Sequence, residues 1–385
     1  MAFANRKSLR TITRLSLHRT PTPATGSFCR LLLANKISPR YNSPAGKRAA
    51  NFGTRCGPAV TWMSPQDHAS ARTLRVNPIL VVGAETVVGA SLSIHLADRC
   101  DVFAASLAGR IDLVDCQVLP ETGDQLSPER TVAEVRPRTV VLCGAASRSC
   151  WDPSSGKAVR AESTQKMSAW AVAANAIGAK TVFISSDAVF TGPWMFHDEE
   201  GESHCATPAA LAIRKMEAAV VDACENSLIV RTNAYGWSPA RTAGWLENTL
   251  ALIEARRPIQ LDPVRHATPI LATDLAEILE KMLIEDLTGA YHVAGAERIS
   301  PMGFAQRLAG QFNLPWIPAR KASVQTEAPA GFGAGECSLQ TRKLRRDLCI
   351  PMPLLSESLA RLEAQQINGH REKLAPNATV QLRAA

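Results

Sequence analysis

NPILVVGAETVVG, Asn77 to Gly89, decides how the rest of the chain is read. Its first half is a continuous apolar run ending in Gly83. Such a run predicts a strand covered on both faces, because a half-exposed strand would alternate apolar and polar side chains. Its second half leads into ETVVGASLSIHLAD (85–98), whose apolar residues recur at helical spacing. A strand, a tight turn and a helix in that order place helix amides and the positive end of the helix dipole where a dinucleotide pyrophosphate can rest. The fingerprint for such a turn is GxxGxxG or GxGxxG. Here Gly83 and Gly89 hold the outer positions and Thr86 stands in the middle. A turn that only packs helix on sheet is the other reading of the same residues.

Outward from this stretch the alternation continues. DVFAAS (101–106) is a second strand, SPERTVAEVRP (127–137) a helix capped by Ser127 with Pro128 in its first turn, and TVVLCGAAS (139–147) a third strand. TQKMSAWAVAANAIGA (164–179) is a helix, KTVFISSDAVF (180–190) a fourth strand, and Thr207-Pro208 opens the next helix. NSLIVRTNAYG (226–236) is a fifth strand. Strand and helix alternating at this spacing predict an α/β fold with a doubly wound parallel sheet of Rossmann type. After Gly236 the pattern loosens into helices at 244–256, 273–285 and 300–312, with capping signals at Thr273 and Ser300. TGAYHVAG (288–295) reads as one strand of a small pairing. The expected organisation is a leader at 1–72, a nucleotide-binding domain at 75–236, a smaller substrate-binding α/β region at 237–365, and a flexible tail at 366–385.

The chain of 385 residues carries a formal charge of +8, which by itself suggests nucleic acid or a membrane surface. Its distribution removes that reading. Up to Gln66 there are eleven Lys and Arg and no acid; the remainder holds 32 basic against 35 acidic residues. The excess belongs to the leader, whose Arg- and Ser-rich, acid-free composition predicts disorder and resembles an organellar transit peptide. A start at Met63 is the alternative. No stretch offers the ~18 apolar residues of a membrane span, so a cytoplasmic location is expected, with organellar import as the alternative. Ten cysteines show no CxxC and no zinc-ligand spacing, which predicts reduced packing residues and no metal.

Five blocks carry a resemblance: VFISSDAVFTG (182–192), TPAALAIRKME (207–217), LIVRTNAYGW (228–237), ATPILATDLAEIL (267–279) and GAYHVAGAERIS (289–300). Together they resemble the extended short-chain dehydrogenase/reductases, and within them the dTDP-4-dehydrorhamnose reductase branch. The resemblance implies binding of NADPH or NADH and reduction of a keto group on a nucleotide-linked deoxysugar. It also implies roles for single residues. Gly83, Thr86, Val87, Val88, Gly89, Ser106, Arg110, Ala145 and Ala146 would hold the cofactor. Ser186 would bind the substrate carbonyl oxygen, and Asp187, Asn233, Tyr235, Arg265 and Arg298 would meet the substrate. Ser106 and Arg110 stand where an acid would hold a ribose hydroxyl, which favours NADPH.

The catalytic Tyr-x-x-x-Lys pair is incomplete. Lys215 matches the lysine, serving cofactor and catalysis, but Leu211 stands at the tyrosine's place, and a one-residue slip would put Ala212 there. Neither can donate a proton, a loss of about 10² to 10⁴ in rate. His197, Asp198 and His204, in the loop between the fourth strand and this helix, are substitute acids by location, with a solvated loop as the bland alternative. The Asn that the family carries in the helix region after the segment matching CGAAS (143–147) is also missing from AESTQK (161–166). Two functions follow: a weak or altered reductase of the dTDP-rhamnose type, or a non-catalytic NAD(P)- or nucleotide-sugar-binding regulatory subunit acting as a homodimer or on a partner enzyme.

Overall fold

The computed structural model describes residues 77–239, 243–257, 265–317 and 332–376. The basic leader, with Met63, lies outside the described residues. In chain order the first elements are β1 (Ile79–Val82), α1 (Val87–Ala97), β2 (Val102–Ser106), β3 (Gln117–Thr122), α2 (Pro128–Val135) and β4 (Thr139–Leu142). A short helix α3 (Ser155–Ala158) precedes α4 (Ala161–Ala176), β5 (Lys180–Ser186), α5 (Pro208–Ala223) and β6 (Ser227–Thr232). The second half contains β7 (Ala234–Tyr235), α6 (Trp245–Glu254), β8 (Ile270–Leu271), α7 (Ala272–Ile284), β9 (Gly289–His292), α8 (Pro301–Gln311), α9 (Arg342–Leu348), α10 (Leu355–Ala364) and α11 (His370–Leu374).

Seven strands form one parallel sheet in the order β3-β2-β1-β4-β5-β6-β9. Every residue of β1, β4 and β5 is buried, which is why these strands read as unbroken apolar runs. One face carries α1 packed beside α7; α4 and α5 lie together on the other. The caps form as their residue types dictate. Ser127 accepts from Arg130 N, Thr207 from Ala210 N and Ser300 from Gly303 N, each with proline following in the first turn.

β3, QVLPET, follows no apolar run of its own; it is an edge strand with a register shift, a place where Pro120 costs no ladder bond. Four expectations need correction. The 226–236 strand divides, because β7 leaves the main sheet to pair with β8. β9 belongs to no small pairing: Leu228 to Arg231 of β6 register against Gly289 to His292, so the second region completes the first region's sheet. Thr273 lies inside α7, not at its cap. Beyond Gln365 the chain also differs from a flexible tail, since α11 packs on α1 and buries Leu374.

Candidate functional site

The sheet order changes direction between β1 and β4, and in open α/β sheets that is where ligands bind. Gly83 ends β1 with φ +83°, and a Cβ built on it would lie 1.7 Å from the carbonyl oxygen of Cys143. A Cβ on Gly89 would lie 2.4 Å from Gly83 O. Both glycines are therefore fixed by close backbone approach. Thr86 is the N-cap of α1: its hydroxyl donates to Gly83 O at 2.9 Å and accepts from Gly89 N at 3.0 Å. That hydroxyl is committed to the turn, while the first-turn amides of Val87 and Val88 have no intrahelical acceptor to use. Ala145 and Ala146, in a 3-10 turn after β4, keep the facing side small. The cradle fits a pyrophosphate.

The residue between the glycines that sequence reasoning passed over is Glu85. Its Oε2 accepts from Leu107 N at 3.0 Å and Ser106 Oγ at 3.3 Å, so a carboxylate from the turn occupies the carboxyl end of β2. Burial pushes its pKa up, opposed by these hydrogen bonds and by the charge of Arg148. The ground for favouring NADPH, a strand end without an acid, does not hold in the folded chain. Arg110 is exposed beyond that end.

At the carboxyl ends of β5 and β6 the arrangement is closed. Ser186 is buried; its Oγ accepts from Ala188 N at 3.1 Å, capping a 3-10 turn, and lies 3.4 Å from Asp187 Oδ1. Asp187 is 0% exposed, and burial pushes its carboxyl up to about 7 against the lowering effect of Cys150, Asn233 and Ser186. Asn233 Oδ1 accepts from Ser149 Oγ at 2.6 Å, and its amide reaches Cys150 Sγ at 3.4 Å. The next residue, Trp151, meets Phe304 edge-on at 5.5 Å and Trp245 at 6.3 Å. Tyr235 packs against the same Phe304 at 4.9 Å, and burial drives its phenol pKa far up. Ser149 to Trp151 thus form a strap over the residues expected to meet a substrate. A tryptophan just after a sheet strand was the one sequence signal for it.

Helix α5 presents its faces unambiguously. Glu217 accepts from Ser185 Oγ of β5 at 2.5 Å and pairs with Arg231 of β6 through Nη2 at 2.8 Å and Nε at 3.0 Å. That anchor turns Ala209, Ile213 and Glu217, spaced by four, towards the sheet; all three are buried. Leu211 is 43% exposed and Lys215 is exposed with no hydrogen bond or ion pair among the described residues, while Ala212 is half-buried. Ser186 and Lys215 are not brought together by any contact.

The remaining candidates have structural partners. His197 stacks on Phe190 at 4.8 Å and its Nε2 sits 3.1 Å from Glu336 O; His204 stacks on the same ring at 5.6 Å. Burial lowers both imidazoles. Asp198 is exposed. Arg298 makes a two-nitrogen pair with Glu336, and half-buried Arg265 lies close enough for its charge to act on Cys150 and Cys337. Among the described residues, no cluster of His, Cys, Asp or Glu has metal-ligand geometry, and no helix is long and apolar enough to cross a membrane.

The profile of the family described as RmlD substrate binding domain matches residues 77–366. No curated protein sequence matches the chain. Among solved structures, the dTDP-4-dehydrorhamnose reductase of Bacillus anthracis in complex with NADP is 20% identical, with a TM-score of 0.61, covering 75% of this chain and 99% of that one. WbmH of Bordetella bronchiseptica in complex with NAD+ is 16% identical (TM-score 0.60; 76% and 99% covered). The UDP-glucose 4-epimerase of Thermotoga maritima with UDP-glucose is 15% identical (0.60; 74% and 97%). At these identities the likeness establishes the fold.

Proposed function

The chain belongs to the RmlD substrate binding domain family, and from that premise we propose that it is a nucleotide-binding member without the family's proton-transfer chemistry. It would hold a nicotinamide dinucleotide at the β1 turn, and its role would be regulatory. The observation that carries this reading is Leu211, an apolar side chain one helical turn before Lys215, where the family's proton donor would stand. Both residues are exposed on α5. Hydride delivered to a ketone leaves an alkoxide that needs a proton, and a leucine cannot supply one.

Support for retained binding comes from the turn. Gly83 and Gly89 keep it tight, the first-turn amides of Val87 and Val88 would meet an anion at the positive helix end, and Ala145 and Ala146 leave room beside it. Bound there, a nicotinamide dinucleotide supplies hydride chemistry. The structural neighbours in complex with NADP and with NAD+ are consistent with that choice. Ser186 and Asn233, the groups that would orient a sugar, spend their hydrogen bonds on the chain itself.

A second reading, slow reduction of a nucleotide-linked 4-keto-6-deoxysugar, is favoured by Asp187. Its carboxyl titrates near neutrality beside Ser186, which suits a general acid if the strap moves. One assay separates the two. The protein is titrated with reduced nicotinamide dinucleotide and then offered dTDP-4-keto-6-deoxysugar while oxidation is followed. Binding without oxidation is expected; oxidation that scales with protein concentration, even well below the ~1 s⁻¹ of ordinary enzymes, would overturn the non-catalytic reading.

A further inference from the structure

We propose that Glu85 makes this site selective for NAD(H) over NADP(H) by occupying, with its own carboxylate, the position a ribose 2′-phosphate would take. The inference rests on the reading that the β1 turn holds a dinucleotide. With the pyrophosphate on the turn, the adenosine ribose falls at the carboxyl end of the second strand, where an acid accepts from its hydroxyls and an arginine accommodates a 2′-phosphate. In most such sites the reading group comes from the strand end itself. Here the strand end supplies Ser106 and Leu107, and the acid arrives from the turn, two residues after Gly83.

The geometry is specific about what Glu85 displaces. A 2′-phosphate would need donors, and at this strand end Leu107 N donates to Glu85 Oε2 at 3.0 Å, while Ser106 Oγ, which accepts from Ala108 N, has one proton to share between Glu85 Oε2 and Ala108 O, both at 3.3 Å. A carboxyl group held here by one oxygen keeps its other oxygen to accept from a ribose hydroxyl. A phosphate brought to the same donors would have to evict an anion or sit beside it, and like charges at such a distance repel strongly in a half-buried setting. Among the described residues, the cation whose charge acts on Glu85 is Arg148, from the loop after β4. Arg110, which would serve a phosphate, has no contact that draws it to the strand end.

The test is direct binding, followed by nicotinamide fluorescence and by calorimetry, of NADH and NADPH to the full chain and to Glu85→Gln and Glu85→Ala, with thermal melts to verify folding. The wild type is expected to bind NADH at least about 10-fold tighter than NADPH, the size of a modest like-charge penalty. Glu85→Gln, which removes charge and keeps the shape, is expected to shrink that ratio by raising NADPH affinity. Adenosine 2′,5′-bisphosphate should follow the same order against 5′-ADP. An NADPH preference in the wild type, or a ratio unmoved in both variants, would overturn the assignment of Glu85 while leaving dinucleotide binding intact. Binding of neither dinucleotide would overturn the reading beneath it as well.

Discussion

Ser149 Oγ donates to Asn233 Oδ1 at 2.6 Å, joining the loop after β4 to the end of β6 across 84 residues of sequence. This one bond fastens the strap at its polar end, and Trp151 fastens it at its apolar end. Whatever the site does, the strap has to stay in place or be moved.

Ser149→Ala leaves the buried Asn233 oxygen without its donor, which is expected to cost about 1–3 kcal/mol. Trp151→Ala removes a buried indole from the Trp245 and Phe304 cluster and is expected to cost about 3–5 kcal/mol. Urea denaturation of both variants checks the order; equal and negligible losses would mean that the strap is not held by these contacts.

The two ends of the α5 motif should respond unequally. Lys215→Ala is an exposed substitution, expected to stay within about 0.5 kcal/mol. Glu217→Gln breaks a buried pair with Arg231 and is expected to cost about 3–5 kcal/mol. Since Leu211 stands one turn before Lys215 on the exposed side of α5, Leu211→Tyr is expected to raise oxidation of reduced nicotinamide in the presence of dTDP-4-keto-6-deoxysugar; no gain in a folded variant would mean that the missing hydroxyl is not what holds turnover down.

Gly83→Ala would set a methyl group against the Cys143 carbonyl in a backbone conformation that favours glycine. Movement of backbone on either side is required, and a loss of about 4 kcal/mol or more, or failure to accumulate folded protein, is expected. A normal thermal melt from this variant would contradict the turn geometry.

Acid stability should reflect two opposing sets of groups. Burial lowers His292 to about 3 and His370 to about 4, so the unfolded chain binds protons first, and stability is lost as pH falls from about 6.5 towards 4. Asp187, raised to about 7, works the other way: the folded chain keeps its proton, and its contribution is lost as pH rises from about 4 to 7. Asp187→Asn, which imitates the protonated carboxyl, should therefore make the acid loss steeper. A melting profile unchanged by that substitution would mean that Asp187 does not titrate in this window.

Much of the fold was legible because it rests on local rules. Strands buried on both faces have to be apolar throughout, so β1, β4, β5 and β6 announce themselves, and Ser127-Pro128, Thr207-Pro208 and Ser300-Pro301 mark helix starts by capping chemistry confined to four residues. The missing tyrosine was equally plain, since a chain with Tyr41, Tyr235 and Tyr291 as its tyrosines has none near Lys215.

What the sequence could not decide depends on partners distant along the chain. β9 is short and its sheet partner β6 lies some sixty residues earlier, so pairing was invisible locally. The inward face of α5 was set by Glu217 meeting Arg231 and Ser185, not by the motif's own spacing. Glu85 became an acid at the end of β2 only when the turn folded over that strand, and Ser149 to Trp151 became a strap only when α6 and α8 brought Trp245 and Phe304 to meet them. Periodicity and capping are properties of neighbouring residues and survive in one dimension. A site is a meeting of residues far apart in sequence, and packing in three dimensions decides which of them meet.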